Sequence, residues 1–199
     1  MARLAAALAL LAALWAPSSW APGAAAAELK IATWNLNWLT LRPAGAPGLP
    51  PDVKPRAPED FDRLRAYAAE LDADILALQE VDSAEAVRLV LPRERYALHL
   101  ARDRLTQKVA IAVRAGIRHT AHPDVPLSSD PADHVRSGVD VTVETGGGAL
   151  RLLAVHLKHG CRDAKQERAG GRDCRIFQNQ AEPLAAWIAA RKAEGAAFS

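Results

Sequence analysis

The sequence lacks several features that would assign it to a protein class at once. It has no internal repeat, no heptad pattern of apolar residues and no glycine-rich phosphate loop. These absences exclude solenoid proteins, fibrous coiled coils and proteins that bind nucleoside triphosphates through such a loop. Half of the 199 residues are apolar, which is typical of a domain with a packed core. We therefore expect one globular α/β domain.

An excess of charge of one sign is also missing. Lysine and arginine total 25 against 23 aspartates and glutamates, and the net formal charge is +2. A balance this close to zero gives the surface as a whole little attraction for nucleic acid. Any preference for phosphate must therefore come from a local site.

The longest apolar run is too short for a transmembrane helix. It covers residues 4–16, whereas a spanning helix needs roughly 18 apolar residues. Arg3 precedes the run, and the small residues 24–27 follow it, which is the layout of a secretory signal peptide cleaved after Ala27. An uncleaved membrane anchor is the alternative. The favoured prediction is a secreted or periplasmic protein that does not stay inserted in the membrane after cleavage.

Only two cysteines occur, Cys161 and Cys174. In an oxidising compartment outside the cytoplasm, a pair of thiols is expected to form a disulfide. The alternative is a zinc site built from both cysteines with His156 and His159, since these residue types can make a tetrahedral set. The spacing fits no standard zinc pattern, so the disulfide is the prediction.

Hydrophobic periodicity predicts alternating strands and helices after the cleavage site. Residues 29–39 and 74–81 are typical of buried strands, and residues 59–71 between them have helical spacing. A loop is predicted for residues 42–58, which carry six prolines. The pattern indicates a β-α-β unit.

The second half of the chain favours antiparallel sheet. A helix is expected to be capped by Asp82, with Glu85 completing a capping box, and to end at Pro92. The last two predicted strands are joined as a hairpin through three consecutive glycines, 146–148. Residues 176–192 are expected to be helical with a kink or a late start at Pro183. The predicted strands here cover residues 96–100, 109–114, 139–145 and 149–157.

Three polar residues lie at or near the ends of predicted strands, where α/β sheets place their sites: Asn35, Glu80 and His156. Each has an ordinary alternative role. Asn35 could be a turn residue, Glu80 a solvated carboxylate and His156 a hydrogen-bonded core histidine.

The surroundings of these residues carry a family resemblance. The segments TWNLNWL (33–39), DILALQEVDS (74–83) and LLAVHLKHGC (152–161) resemble, in order and spacing, three motifs of the endonuclease/exonuclease/phosphatase superfamily. The resemblance implies a DNase I-like fold, a four-layer α/β sandwich of two mixed β-sheets flanked by helices. It covers residues 28–199 as a partial domain, incomplete at the C-terminus.

The resemblance also implies roles for individual residues. Asn35 and Glu80 correspond to ligands of a divalent metal, Mg²⁺ or alternatively Mn²⁺ or Ca²⁺, for which oxygen ligands are suited. His156 corresponds to the histidine beside the scissile phosphate. Arg136 is expected to contact or support the phosphate. Lys158 begins a basic segment, 158–175, that either contacts a polyanionic substrate or is simply solvated.

Two motifs that the family uses are not found at the expected places. No Asp-x-Asn occurs, and the one Asp-His pair, at 133 and 134, precedes the His156 strand. In the family these groups position the attacking water and stabilise developing charge. A poor catalyst is therefore expected of this chain alone.

The resulting functional prediction is an exported, metal-dependent phosphodiester hydrolase, a monomer acting on a phosphoester that can be nucleic acid. The alternatives are a catalytically incomplete fragment or pseudoenzyme that only binds metal or a polyanion, and an unrelated secreted α/β binding domain.

Overall fold

The computed structural model describes residues 28–128, 130–161 and 170–199. The predicted signal peptide and most of the basic segment between the two cysteines lie outside the described residues. Within them the helices are α1 (Pro58–Leu71), α2 (Ala84–Val90), α3 (Arg172–Asn179) and α4 (Ala181–Ala193), with a 3-10 turn at Pro131–Asp133. The strands are β1 (Ile31–Leu39), β2 (Ile75–Val81), β3 (Tyr96–Leu100), β4 (Lys108–Arg114), β5 (His119–Ala121), β6 (Val139–Thr145), β7 (Gly148–Ala154) and β8 (Ala197–Phe198).

The strands form two mixed sheets of four strands each. The first has the order β1-β2-β4-β3, with β1 parallel to β2 and β4 antiparallel to both of its neighbours. The second has the order β5-β6-β7-β8, in which only β7 and β8 are parallel. The predicted β-α-β unit and the glycine hairpin between β6 and β7 are both present.

Alternation along the central strands produces two cores. In β4, Val109, Ile111 and Val113 pack against the second sheet, whereas Ala110 and Ala112 face the helices. The inter-sheet core also contains Val141 and Leu152, and both are buried. Its remaining buried members are Ile75, Ala101, Val139, Val143 and Ala154.

Helices cover the outer faces of both sheets. Phe61 and Ala68 of α1, together with Val87 of α2, belong to the core on the outer face of the first sheet. On the second sheet, the indole nitrogen of Trp187 in α4 donates to Asp140 Oδ2 of β6 at 2.9 Å. The observed architecture therefore confirms the predicted four-layer α/β sandwich.

The predicted cap of α2 is wrong by one residue. Ser83 is the N-cap, and its hydroxyl oxygen accepts a hydrogen bond from the backbone N–H of Ala86 at 3.2 Å. No capping box with Glu85 forms, since the third residue of the helix is Ala86. The carboxylate of Asp82 is unavailable for capping because it is buried and bonded to Thr40 and Arg42.

The predicted C-terminal helix is two helices. The first, α3, begins before residue 176, and the chain breaks at Gln180 before α4. Pro183 is the third residue of α4, where the missing N–H would have no intrahelical acceptor. The expected interruption of the helix is thus present, but it lies at Gln180, three positions before this proline, and the helix does not start late at Pro183.

The outer strand β1 leaves one side of the first sheet open among the described residues. Ile31 is 45% exposed and Tyr67 of α1 is 61% exposed. This edge of the first sheet is therefore unpaired within the described residues, and apolar side chains are exposed beside it. No helix in the described part of the chain is long and apolar enough to cross a bilayer.

Candidate active site

Two coincident irregularities bring Asn35 and Glu80 together. The parallel register of β1 and β2 pairs Asn35 with Gln79 and then shifts, so that Leu39 is opposite Val81. Within this bulge Glu80 has a φ of 61°, and Asn37 and Trp38 have φ values of 44° and 58°. Left-handed backbone is uncommon for residues other than glycine and often marks functional sites.

The bulge on β2 changes the direction of the glutamate. Leu78 and Val81 are three residues apart, yet both lie in the core on the helix side. Strict alternation would have put Glu80 into that core. The extra residue allows its side chain to extend toward groups of the second sheet instead.

Both carboxylate oxygens of Glu80 are occupied by nearby donors. Asn35 Nδ2 donates to Oε1 at 2.9 Å. Gln107 Nε2 donates to Oε2 at 2.6 Å, and the backbone N–H of Trp38 donates to the same oxygen at 3.3 Å. Asn35 is itself held by its side-chain oxygen, which accepts from the backbone N–H of Asn37 at 2.8 Å. Glu80 is consequently an oriented acceptor rather than a freely solvated carboxylate.

Arg136 reaches this cluster through Gln107. Its Nε donates to the backbone oxygen of Gln107 at 2.9 Å, and its Nη2 donates to the side-chain oxygen of the same residue. Burial lowers the pKa of Arg136, and the carboxylates of Glu80 and Asp103 oppose this effect. The positive charge of Arg136 therefore acts on Glu80 across a neutral glutamine.

His156 follows β7 and approaches Glu80 from the second sheet. Its Nε2 lies 3.7 Å from Glu80 Oε1, and both side chains are 16% exposed. That separation is longer than a hydrogen bond. Burial lowers the pKa of His156, the charge of Arg136 lowers it further, and Glu80 raises it. Nδ1 is buried without a hydrogen-bond partner among the described residues. A neutral ring therefore stands beside the carboxylate.

Lys158 lies two residues beyond His156, and its side chain is directed to α3. Its ammonium group pairs with Asp173 Oδ1 at 3.0 Å, while its backbone N–H donates to Gln180 Oε1 at 2.7 Å. The structure therefore places Lys158 beside α3 rather than in hydrogen-bond contact with Glu80.

Cys161 and Cys174 form a disulfide with an S–S distance of 2.06 Å. The bond uses both sulfurs, so the alternative zinc site with His156 and His159 is not formed. It joins the segment that follows His156 to α3.

A second cluster ties the strand ends beside the site. The buried carboxylate of Asp82 accepts from Thr40 Oγ1 at 2.7 Å and from Arg42 Nε at 2.7 Å. Lys108, the first residue of β4, donates to the backbone oxygen of Asp82 at 2.5 Å. The chain beyond β1, the end of β2 and the start of β4 are thereby fixed to one another.

Asp133, the first residue of the Asp-His pair, has a structural role. Asp133 accepts hydrogen bonds from Ser128 Oγ at 2.7 Å and from Asn179 Nδ2 at 3.3 Å. His134 is exposed and has a φ of 49°.

The oxygen atoms of the site suit a hard cation that takes only a few of its ligands from the protein. Glu80 offers a carboxylate, and Asn35 offers an amide oxygen. Within the described residues no group of three or more histidines, cysteines, aspartates or glutamates could hold a metal. Mg²⁺ needs no such cage, because it commonly uses one or two carboxylates, retained waters and substrate oxygens.

Sequence reasoning did not identify Gln107. This residue directly precedes β4, and the antiparallel register pairs Lys108 with Val81. A polar residue at the start of an antiparallel neighbour of β2 must lie near the end of β2. The pairing of β4 with β2 is a tertiary contact, and the sequence around Gln107 does not predict it.

The fold and the site define a DNase I-like α/β sandwich with an acidic residue and an amide at the ends of adjacent strands. Residues 32–191 match the model of the endonuclease/exonuclease/phosphatase family, and the chain belongs to that family. The comparison with curated protein sequences finds no match.

One solved structure with a TM-score above 0.5 supports the fold. A β-hairpin deletion mutant of β toxin from Staphylococcus aureus superposes with a TM-score of 0.55 at 16% identity, over 82% of this chain and 62% of the toxin. Truncated TDP2 from Caenorhabditis elegans gives 0.48 at 18% identity, over 71% of this chain and 49% of that one. The chain thus spans about half the length of the TDP2 structure.

Proposed function

We propose that the protein is a metal-dependent phosphoester hydrolase and that this chain supplies the metal-binding side and one histidine of its active site. The convergence of Asn35, Glu80 and His156 carries the proposal. Two adjacent strands with coincident bulges supply the first two residues, and the facing sheet supplies the third. Membership of the family makes phosphoester hydrolysis the natural chemistry for such a site.

Glu80 and Asn35 would hold the divalent cation, Mg²⁺ or alternatively Mn²⁺ or Ca²⁺. A cation bound there polarises a phosphoryl oxygen and offsets the negative charge of the substrate. The protein's own contribution is to orient Glu80, which the donors from Asn35, Gln107 and Trp38 accomplish.

His156 would donate a hydrogen bond to the phosphate or to the leaving oxygen. Its lowered pKa favours the neutral ring at pH 7, which carries one N–H. Since Nε2 is too far from Glu80 for a hydrogen bond, a proton on this nitrogen is free for a substrate oxygen. Arg136 adds positive charge next to the same position.

The substrate class proposed is a phosphodiester, with nucleic acid as one member. Lys158 and the basic segment after it would contact a polyanion near His156, and the pairing of Lys158 with Asp173 limits how much charge it contributes. We further propose that the protein acts as a monomer outside the cytoplasm. The signal-like composition of residues 1–27 and the disulfide support export.

A second candidate function is binding of metal or polyanion without turnover. It is favoured by the absence of an Asp-x-Asn motif from the 199 residues and by the structural use of Asp133. The two candidates share the metal site and differ in the rate of hydrolysis.

Hydrolysis of bis(p-nitrophenyl) phosphate and of plasmid DNA by residues 28–199, with and without Mg²⁺, tests the proposal. We expect slow turnover that requires the cation and disappears in Glu80→Ala. Glu70→Gln, a change at an exposed residue of α1, is the matched control and should leave the rate unchanged. A folded chain that binds Mg²⁺ but hydrolyses neither substrate would establish the binding-only alternative.

A further inference from the structure

Gln107 occupies a position between two charged side chains that would otherwise attract each other. Its Nε2 donates to Glu80 Oε2 at 2.6 Å, while its side-chain oxygen accepts from Arg136 Nη2. The backbone oxygen of Gln107 also accepts from Arg136 Nε at 2.9 Å. Within the described part of the chain, the Arg136 guanidinium thus donates only to Gln107.

The orientation of the glutamine amide follows from its neighbours. A guanidinium group can only donate, so the amide oxygen of Gln107 must face Arg136. The amide nitrogen must then face Glu80, whose ionised carboxylate can only accept. Glutamine satisfies both sides at once, and a glutamate or an apolar residue at this position would leave one side without its partner.

We propose that Gln107 is a positioning residue that holds Glu80 ready for a divalent cation and keeps Arg136 from pairing directly with it. This inference rests on the proposed metal site. A direct Arg136–Glu80 ion pair would occupy a carboxylate oxygen and neutralise the charge that attracts the cation. The neutral amide of Gln107 orients the Glu80 carboxylate and leaves its negative charge in place.

The geometry supports a role in metal binding rather than in packing. Gln107 is partly exposed and lies outside both hydrophobic cores. Arg136 is fixed at its Nε by a backbone oxygen, which survives any substitution at position 107. After loss of the amide, the Nη2 group of Arg136 would therefore lack its acceptor, while its charge would still act on Glu80.

The experiment measures Mn²⁺ affinity by isothermal titration calorimetry on residues 28–199 and on single and double variants of them. Gln107→Met keeps the side-chain length and removes the amide. We expect it to weaken Mn²⁺ binding by about tenfold or more, the range usual for residues that orient metal ligands. Gln178→Met, at an exposed glutamine of α3, is the matched control and should bind as the wild type does.

The decisive comparison is the double variant Gln107→Met/Arg136→Met. If Gln107 shields Glu80 from Arg136, removing the arginine should restore most of the affinity that Gln107→Met loses. A glutamine with a general structural role would give no such rescue.

Glu80→Gln separates the failure of this proposal from the failure of the proposed function. If Glu80→Gln weakens Mn²⁺ binding but Gln107→Met does not, or if the double variant is not rescued, the role of Gln107 is overturned and the metal site stands. If Glu80→Gln has no effect, both proposals are overturned. Circular dichroism and thermal melts of each variant confirm that the comparison is made between folded proteins.

Discussion

At the scale of single residues, the site depends on backbone conformations that most side chains avoid. Glu80, Asn37 and Trp38 all have positive φ values, and all three contact the same cluster. Residues held in such conformations cost of order 1–3 kcal/mol each and persist only where the surroundings enforce them. Here the bulge redirects one carboxylate from the helix-side core to the space between the sheets.

A histidine pair outside the site makes stability depend on pH. His99 of β3 and His119 of β5 meet edge to face, with ring centroids 4.9 Å apart, and His99 Nε2 is buried without a partner among the described residues. Burial, followed by the charge of His119, lowers the pKa of His99. The unfolded chain therefore takes up a proton at a higher pH than the folded one. Stability should be full above pH 6.5 and should decrease as the pH falls from there toward the lowered pKa.

Urea unfolding between pH 7.5 and 5 measures this loss. His99→Asn should reduce it, whereas exposed His134→Asn should not. His122 and His156, whose pKa values burial also lowers, contribute with the same sign. Equal pH slopes for the wild type and His99→Asn would show that the pair is not a source of the dependence.

At the scale of secondary-structure elements, three strand ends must be fixed together before the site exists. Asp82 does this through Thr40, Arg42 and Lys108. Asp82→Ala would remove the carboxylate that accepts from Thr40 Oγ1 and Arg42 Nε, whereas Lys108 would keep the backbone oxygen of residue 82. We expect it to lower the free energy of unfolding by about 2 kcal/mol, as for buried hydrogen bonds to a charged group.

Asp62→Ala is the matched control for this substitution. Asp62 is 68% exposed and pairs with Arg65 on the surface of α1, so its loss should cost less than about 1 kcal/mol. Chemical denaturation of the two variants decides the matter. If Asp82→Ala lowers the free energy of unfolding no more than Asp62→Ala does, Asp82 does not stabilise the arrangement of these strands.

Much of the fold could be predicted from sequence because its elements obey simple periodicities. The apolar strand β2, the amphipathic α1 and the glycine hairpin are each specified within a few residues. The three-residue strand β5 has no such signal, since it exists only by pairing with β6. The cap of α2 was misplaced because Asp82 and Ser83 are equally good caps locally, and only the tertiary ion pair with Arg42 decides between them.

The site could be predicted in part for the same reason. Asn35, Glu80 and His156 lie at or near the ends of recognisable strands, which predicts that they are close together. The bulge that turns Glu80 away from the helix-side core has no local signal. Gln107 acts through the antiparallel register of β4, which no local pattern specifies. The side chain of Lys158 turns to Asp173 because α3 packs beside the exit of β7, a contact that depends on the disulfide and on Gln180.

At the scale of the whole molecule, the disulfide cross-links the two ends of the segment between the residues that follow β7 and α3. Cys161 and Cys174 are 13 residues apart. For a loop of this size the chain-entropy estimate of stabilisation is about 3 kcal/mol. Reduction should therefore lower the urea midpoint of the wild type, while a Cys161→Ser/Cys174→Ser variant should unfold at the lower midpoint with or without reductant. No shift on reduction would mean that α3 and α4 are held by packing alone.

The affinity of residues 28–199 for Mn²⁺ in solution decides whether Glu80 and Asn35 form the proposed divalent-metal site. We expect saturable binding of one ion, weakened at least about tenfold by Glu80→Gln and unchanged by Glu70→Gln on the exposed face of α1. Binding that is absent from the folded wild type, or that is equally strong in Glu80→Gln, would contradict it.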